Sequence, residues 1–219
     1  MATARRASAV DRRGHRLKAV LITAVALLST TLALLPCAAK EGELAKALES
    51  HELAALEYFT DVPLVTHEGE RVRFYSDVLE DRVVLLNGIC TGCKGVAAGQ
   101  MQVLSQLQVM LGDSLGRDIF IVSITVDPVN DDAKKIREYA EGLGSGPGWI
   151  FLSGTPQNVG QVNAKLGLDL DSLQSGRAAY LLGNVKTTVW MKAPAHALAA
   201  DLYRQIQRLL QDDGEPEGG

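Results

Sequence analysis

The apolar run Val83-Val84-Leu85-Leu86 leads into Asn87-Gly88-Ile89-Cys90-Thr91-Gly92-Cys93-Lys94, and apolar residues then recur at helical spacing from Val96 to Leu111. No other segment narrows the choice of fold as much. A continuous apolar run bounded by turn residues reads as a buried strand. Cysteines carried by such a strand to the start of a helix meet unpaired N–H groups and the positive end of the helix dipole, which stabilise a thiolate. The thiolate is the form that attacks disulfides and binds soft metal ions. The only other cysteine, Cys37, lies near the end of an apolar N-terminal stretch, so the chain has one candidate reactive centre.

The segments around this junction predict a mixed α/β order. Val62–Thr66 and Arg71–Phe74 read as a hairpin turning near Gly69, and Asp118–Val126 as a second core strand. Asp131–Leu143 reads as a helix that Asp131 caps and Gly144 ends. Trp149–Leu152 is a short strand, and Thr155–Leu166 a helix with Thr155 at its N-cap and Pro156 first inside it. Ala178–Leu182 and Thr187–Met191 pair across Gly183-Asn184, and Pro194–Leu210 forms the last helix. Met101, Leu104, Leu107 and Leu111 mark the apolar face of the helix after the cysteines. The fold class expected is α/β, a mixed sheet flanked by helices on both faces. With its cysteines after the first core strand, the layout is thioredoxin-like.

Ahead of this domain, residues 19–39 carry no charge and follow Arg5, Arg6, Arg12, Arg13, Arg16 and Lys18. About 20 apolar residues suffice to cross a bilayer, and the basic flank keeps the N-terminus cytoplasmic. Residues 1–39 are thus expected to be a membrane anchor, or a signal peptide cleaved near Cys37-Ala38-Ala39. The domain would then face the periplasm of a bacterial cell. Residues 40–58 read as a helical spacer, 59–211 as the domain and 212–219 as an acidic disordered tail. Beyond the apolar stretch the chain has 16 basic and 25 acidic side chains, a net charge of −9. Without a basic stripe, nucleic acid is excluded as the expected partner.

Several segments together resemble the Sco/SenC family, membrane-anchored thioredoxin-fold proteins that assemble the copper centre of cytochrome c oxidase. They are Asp61-Val62-Pro63-Leu64-Val65-Thr66 with Gly69, Val84-Leu85-Leu86-Asn87, Ser123-Ile124-Thr125-Val126-Asp127-Pro128 with Asp131, Gly148-Trp149-Ile150-Phe151-Leu152-Ser153-Gly154, and Tyr180-Leu181. The resemblance implies a copper site of Cys-x-x-x-Cys-Pro plus a histidine just before the late strand. Counted from Asn87, Cys93 takes the place of the first cysteine, while the second falls on Ala97 and the proline on Ala98. The histidine falls on Ser175, and no histidine occurs between His67 and His196. In a second register, Cys90 and Cys93 stand for the motif as Cys-x-x-Cys.

Cys93 and Cys90 are therefore the candidate catalytic and metal-binding residues. As a dithiol they can exchange with a disulfide or hold Cu(I). The resemblance implies a respiratory oxidase subunit, or another thiol or copper protein, as partner. The alternatives are a thiol-disulfide oxidoreductase without copper and a non-catalytic member that only binds partners. Of the other candidates, His196 and His67 read as solvated, Met101 and Met191 as core, and Trp149 and Trp190 as core aromatics.

Overall fold

The computed structural model describes residue 46 and residues 53–214. The anchor or signal segment, most of the spacer and the end of the acidic tail lie outside the described residues. Within them a hairpin, β1 (Pro63–Thr66) and β2 (Arg71–Arg73), leads through a π-helical turn (Phe74–Leu79) to β3 (Val83–Ile89). There follow α1 (Val96–Leu111), β4 (Ile119–Thr125), α2 (Ala133–Leu143), β5 (Trp149–Ser153), α3 (Pro156–Leu166), the short α4 (Leu170–Ser175), β6 (Tyr180–Asn184), β7 (Val189–Ala193) and α5 (Ala199–Gln211).

The strands form one sheet in the order β2-β1-β5-β4-β3-β6-β7. The central three, β3, β4 and β5, are parallel. β1 and β6 join them antiparallel. Strand period two divides β3 between two cores. Val83, Leu85 and Ile89 meet Leu104, Leu107, Ile136, Leu202 and Ile206 from α1, α2 and α5. Val84 and Leu86 face the other way, onto Val159 and Val162 of α3 and Phe74 and Val78 of the π-helical turn. All seven residues of β3 are buried, as its continuous apolar run requires. The helix face predicted by Met101, Leu104, Leu107 and Leu111 is buried throughout.

Three expected boundaries are corrected. The last hairpin turns at residues 185–188, not at Gly183-Asn184, which pair as strand with Trp190 and Val189. Thr188 supplies the positive φ that this turn requires. The last helix starts at Ala199, not Pro194. Between β7 and that helix a turn at residues 195–196 is closed by Ala197 N–H donating to the Pro194 carbonyl at 2.9 Å, with Ala195 and Ala197 buried and Pro194 and His196 exposed. The cap of α2 is Asp132, whose side chain accepts from Lys135 N–H, rather than Asp131. Helix α4 and the π-helical turn were not foreseen.

Candidate functional site

Cys90 and Cys93 sit just past the C-terminal end of β3 and are joined by a disulfide, with 5.3 Å between their Cα atoms. Ligands of open α/β sheets gather at this end of the parallel strands. A turn closes the loop, Cys93 N–H donating to the Cys90 carbonyl at 3.2 Å. The disulfide therefore precedes the helix cap, Gly95, instead of lying in the first turn of α1. The two sulfurs differ in surroundings. Cys90 is buried among Ala97, Leu173 and Ala178, whereas Cys93 lies partly exposed at the edge of that cluster.

The disulfide borders a cleft of about 470 Å³ whose wall includes Thr91, Lys94, Asp127, Lys135, Leu170 and Gln174. Helix α4 covers one side, with the Gln174 amide Nε2 3.7 Å from Cys93 Sγ. This six-residue helix is held by its cap, since Asp169 accepts from the Ser172 N–H and hydroxyl. Those hydrogen bonds keep the Asp169 carboxyl below its ordinary pKa.

Asp131, expected as a helix cap, lies in the floor of this site and is buried. Its carboxylate accepts from Thr91 N–H, at 3.2 and 3.3 Å to its two oxygens, and from the Thr91 hydroxyl. The Thr125 hydroxyl donates to its Oδ2 at 2.7 Å. Its own carbonyl accepts from Ser153 Oγ at 2.9 Å. The carboxylate thus links the cysteine loop to the end of β4, and the backbone carbonyl of the same residue ties it to the end of β5. Asp127 forms the turn before α2, accepting from the Asn130 amide. A second polar chain supports β3 from below, Trp149 Nε1–H donating to Ser123 Oγ, and Ser123 Oγ–H to Asn87 Oδ1.

The other sequence candidates stay apart from the disulfide. His196 is exposed and lines a separate cleft with Arg204 and Arg208. His67 is not solvated in its turn but half-buried, its ring edge-on to Phe151 and its Nδ1 accepting from Phe151 N–H. Burial is the main cause that lowers its pKa. Met101 and Trp149 are core residues, while Met191 and Trp190 are partly buried against the core.

The donor set also decides which copper ion the site suits. Ala97, where one register puts the second cysteine, is a buried methyl against Cys90. Ser175, in the histidine's place, is exposed and hydrogen-bonded to the carbonyls of its own helix. Among the described residues no group of three or more His, Cys, Asp or Glu is placed to hold a metal ion. A three-donor site with imidazole does not fit. Once reduced, Cys90 and Cys93 would offer two sulfurs, which suit Cu(I) and not Cu(II). Thr91, Thr125 and Gln174 were missed as parts of the site, and Asp131, at a strand's end where ligands gather, was read as a helix cap instead. The adjacent Asp131-Asp132 pair held the available signal, because one helix start uses only one N-cap.

Comparison with known proteins bears on the family and the fold. The SCO1/SenC family model matches residues 53–207. No curated protein matches the chain by sequence. Among solved structures, copper-bound ScoI of Arabidopsis thaliana is 18% identical with a TM-score of 0.54, over 68% of this chain and 96% of that one. Yeast Sco1 is 15% identical with a TM-score of 0.58, over 70% of this chain and 94% of that one. BsSco, described as a member of the Sco family of cytochrome c oxidase assembly proteins with a disulfide switch, is 18% identical with a TM-score of 0.57, over 70% of this chain and 93% of that one. At these identities the likeness is one of fold, a thioredoxin-like mixed sheet.

Proposed function

The chain belongs to the SCO1/SenC family, and from that premise we propose that it serves respiratory-oxidase assembly by dithiol–disulfide exchange at Cys93 and Cys90. The observation that carries this reading is a Cys90–Cys93 disulfide with one buried and one partly exposed cysteine at the mouth of a cleft. Family membership supplies the setting, cysteines of an oxidase copper site or of another thiol or copper protein.

In the reducing direction, the Cys93 thiolate attacks a sulfur of the partner's disulfide. A mixed disulfide forms, and the first partner sulfur leaves as a thiolate that takes up a proton. The Cys90 thiolate then attacks Cys93 Sγ and expels the second partner thiolate, which is protonated in turn. Two electrons have passed to the partner, and the chain is left with the Cys90–Cys93 disulfide. An external dithiol reductant restores it. Cys93 is assigned the attack because it reaches the cleft, and Cys90 the resolving step because it is enclosed. Copper enters this reading as cargo, one Cu(I) ion held between the two thiolates of the reduced chain, with Cu(II) bound poorly for want of imidazole.

We place the domain on the periplasmic side of a bacterial inner membrane, tethered by the charge-free segment 19–39. Among the described residues no helix is long and apolar enough to cross a membrane, and that segment lies outside them.

The test is a pair of titrations on the full chain, with Cys90→Ser, Cys93→Ser and the double variant alongside. A glutathione redox titration is expected to give a reversible two-electron couple. A competition titration of the reduced chain is expected to find one Cu(I), lost in Cys93→Ser. Tight 1:1 Cu(II) binding that survives loss of either cysteine would overturn the donor assignment. Full oxidase assembly by the double variant would overturn the exchange mechanism and select a role in partner binding alone.

A further inference from the structure

Asp131 is the least expected part of the site. It is 1% exposed, and among the described residues its carboxylate pairs with no cation and accepts from Thr91 and Thr125. A buried carboxylate is costly unless its oxygens are satisfied by hydrogen bonds. These bonds join Thr91, the residue after Cys90, to Asp131, 40 positions further along the chain, and through it to Thr125, the last residue of β4. The fold does not use Asp131 to start α2, because Asp132 does that. The carboxylate is instead directed at the cysteine loop.

We propose that Asp131 is the positioning residue of the redox couple. It holds the Cys90-Thr91-Gly92-Cys93 turn in its closed form whether the cysteines are oxidised or reduced. This inference rests on the exchange reading above. A turn kept closed in the dithiol holds the two sulfurs near each other, so little chain entropy is lost when the disulfide forms. Freed of the clamp, the reduced loop samples open forms, and closing it again becomes less favourable. The role requires hydrogen-bond acceptance at Thr91, not negative charge. Asparagine preserves that acceptance: its Oδ1 can accept from Thr91, and its Nδ2 can donate to Thr125 Oγ1 in place of the present reverse bond.

The experiment is the equilibrium of the full chain with glutathione, in which the Cys90–Cys93 disulfide and two glutathione thiols exchange with the dithiol and one glutathione disulfide. The constant for forming the protein disulfide is expected to fall at least tenfold in Asp131→Ala, a potential about 30 mV less negative. In Asp131→Asn it is expected to stay within threefold of wild type. A folded Asp131→Ala chain within threefold of wild type overturns the proposal, as does an Asp131→Asn chain as impaired as Asp131→Ala. If Asp131→Ala does not fold, Thr91→Val decides, a fall of threefold or more supporting the clamp and an unchanged constant overturning it. Failure of the exchange reading looks different, since the wild-type chain itself would then show no reversible couple.

Discussion

At the scale of single residues, environment outweighs residue type. His67 was expected to be solvated in a hairpin turn, yet β1 lies beside β5 and brings its ring against Phe151. Because Nδ1 accepts the Phe151 N–H, the ring is neutral in the folded chain. Burial lowers its pKa below the ordinary 6.5, with Arg137 acting in the same direction and Glu68 and Glu141 opposing. The unfolded chain therefore binds the proton first as pH falls. The stabilising effect is complete above 6.5 and is lost on the way down to the lowered folded value. Wild type should lose stability relative to His67→Gln between pH 7.5 and 5, read from urea midpoints at each pH. Parallel pH profiles would show that the contact with Phe151 does not require the neutral ring. Asp131 and Asp132 make the same point, since two neighbouring residues of one type have unrelated tasks and only the helix phase separates them.

At the scale of elements, local signals located the strands and most helices, and backbone approaches decided the rest. The loops before β4 and β5 cross at Gly116 and Gly148. A Cβ at Gly148 would lie 2.2 Å from Gly116 N, and φ there is +85°. Rigid backbone on one side and a left-handed conformation on the other leave alanine no room. Gly148→Ala should cost roughly 3 kcal/mol, the upper range for overpacking plus backbone strain. For a domain of this size that lowers Tm by about 6–12 °C, which calorimetry would detect, and an unchanged Tm would refute the crossing. Gly183 is a strand residue for a similar reason, with Trp190 lying across the place of its missing side chain. Reading Gly183-Asn184 as a turn was reasonable from turn statistics. The cross-strand tryptophan, invisible in a local window, made it strand.

At the scale of the whole molecule, the proposed tether predicts that the full chain sediments with membranes and resists alkaline extraction, while a chain lacking residues 1–52 is released. Release of the full chain by alkali would refute the anchor. Within the domain, hydrophobic periodicity alone carried most of the architecture: β3 is buried on both faces and α1 on one, as their patterns require. Caps at Thr155 and Gly144 were legible because the capping hydrogen bonds join residues only a few positions apart. The Cys-x-x-Cys pair was legible as the candidate reactive centre, and the resemblance of the chain to its family was carried by short segments along it. The tertiary structure alone decided that the two cysteines are bridged, that Cys90 is the enclosed one, that α4 covers them, and that Asp131 holds their loop. The physical reason is range. Periodicity and caps come from interactions within a few residues, whereas Thr91 with Asp131 and Cys93 with Gln174 lie 40 and 81 positions apart and meet only once the sheet order is set.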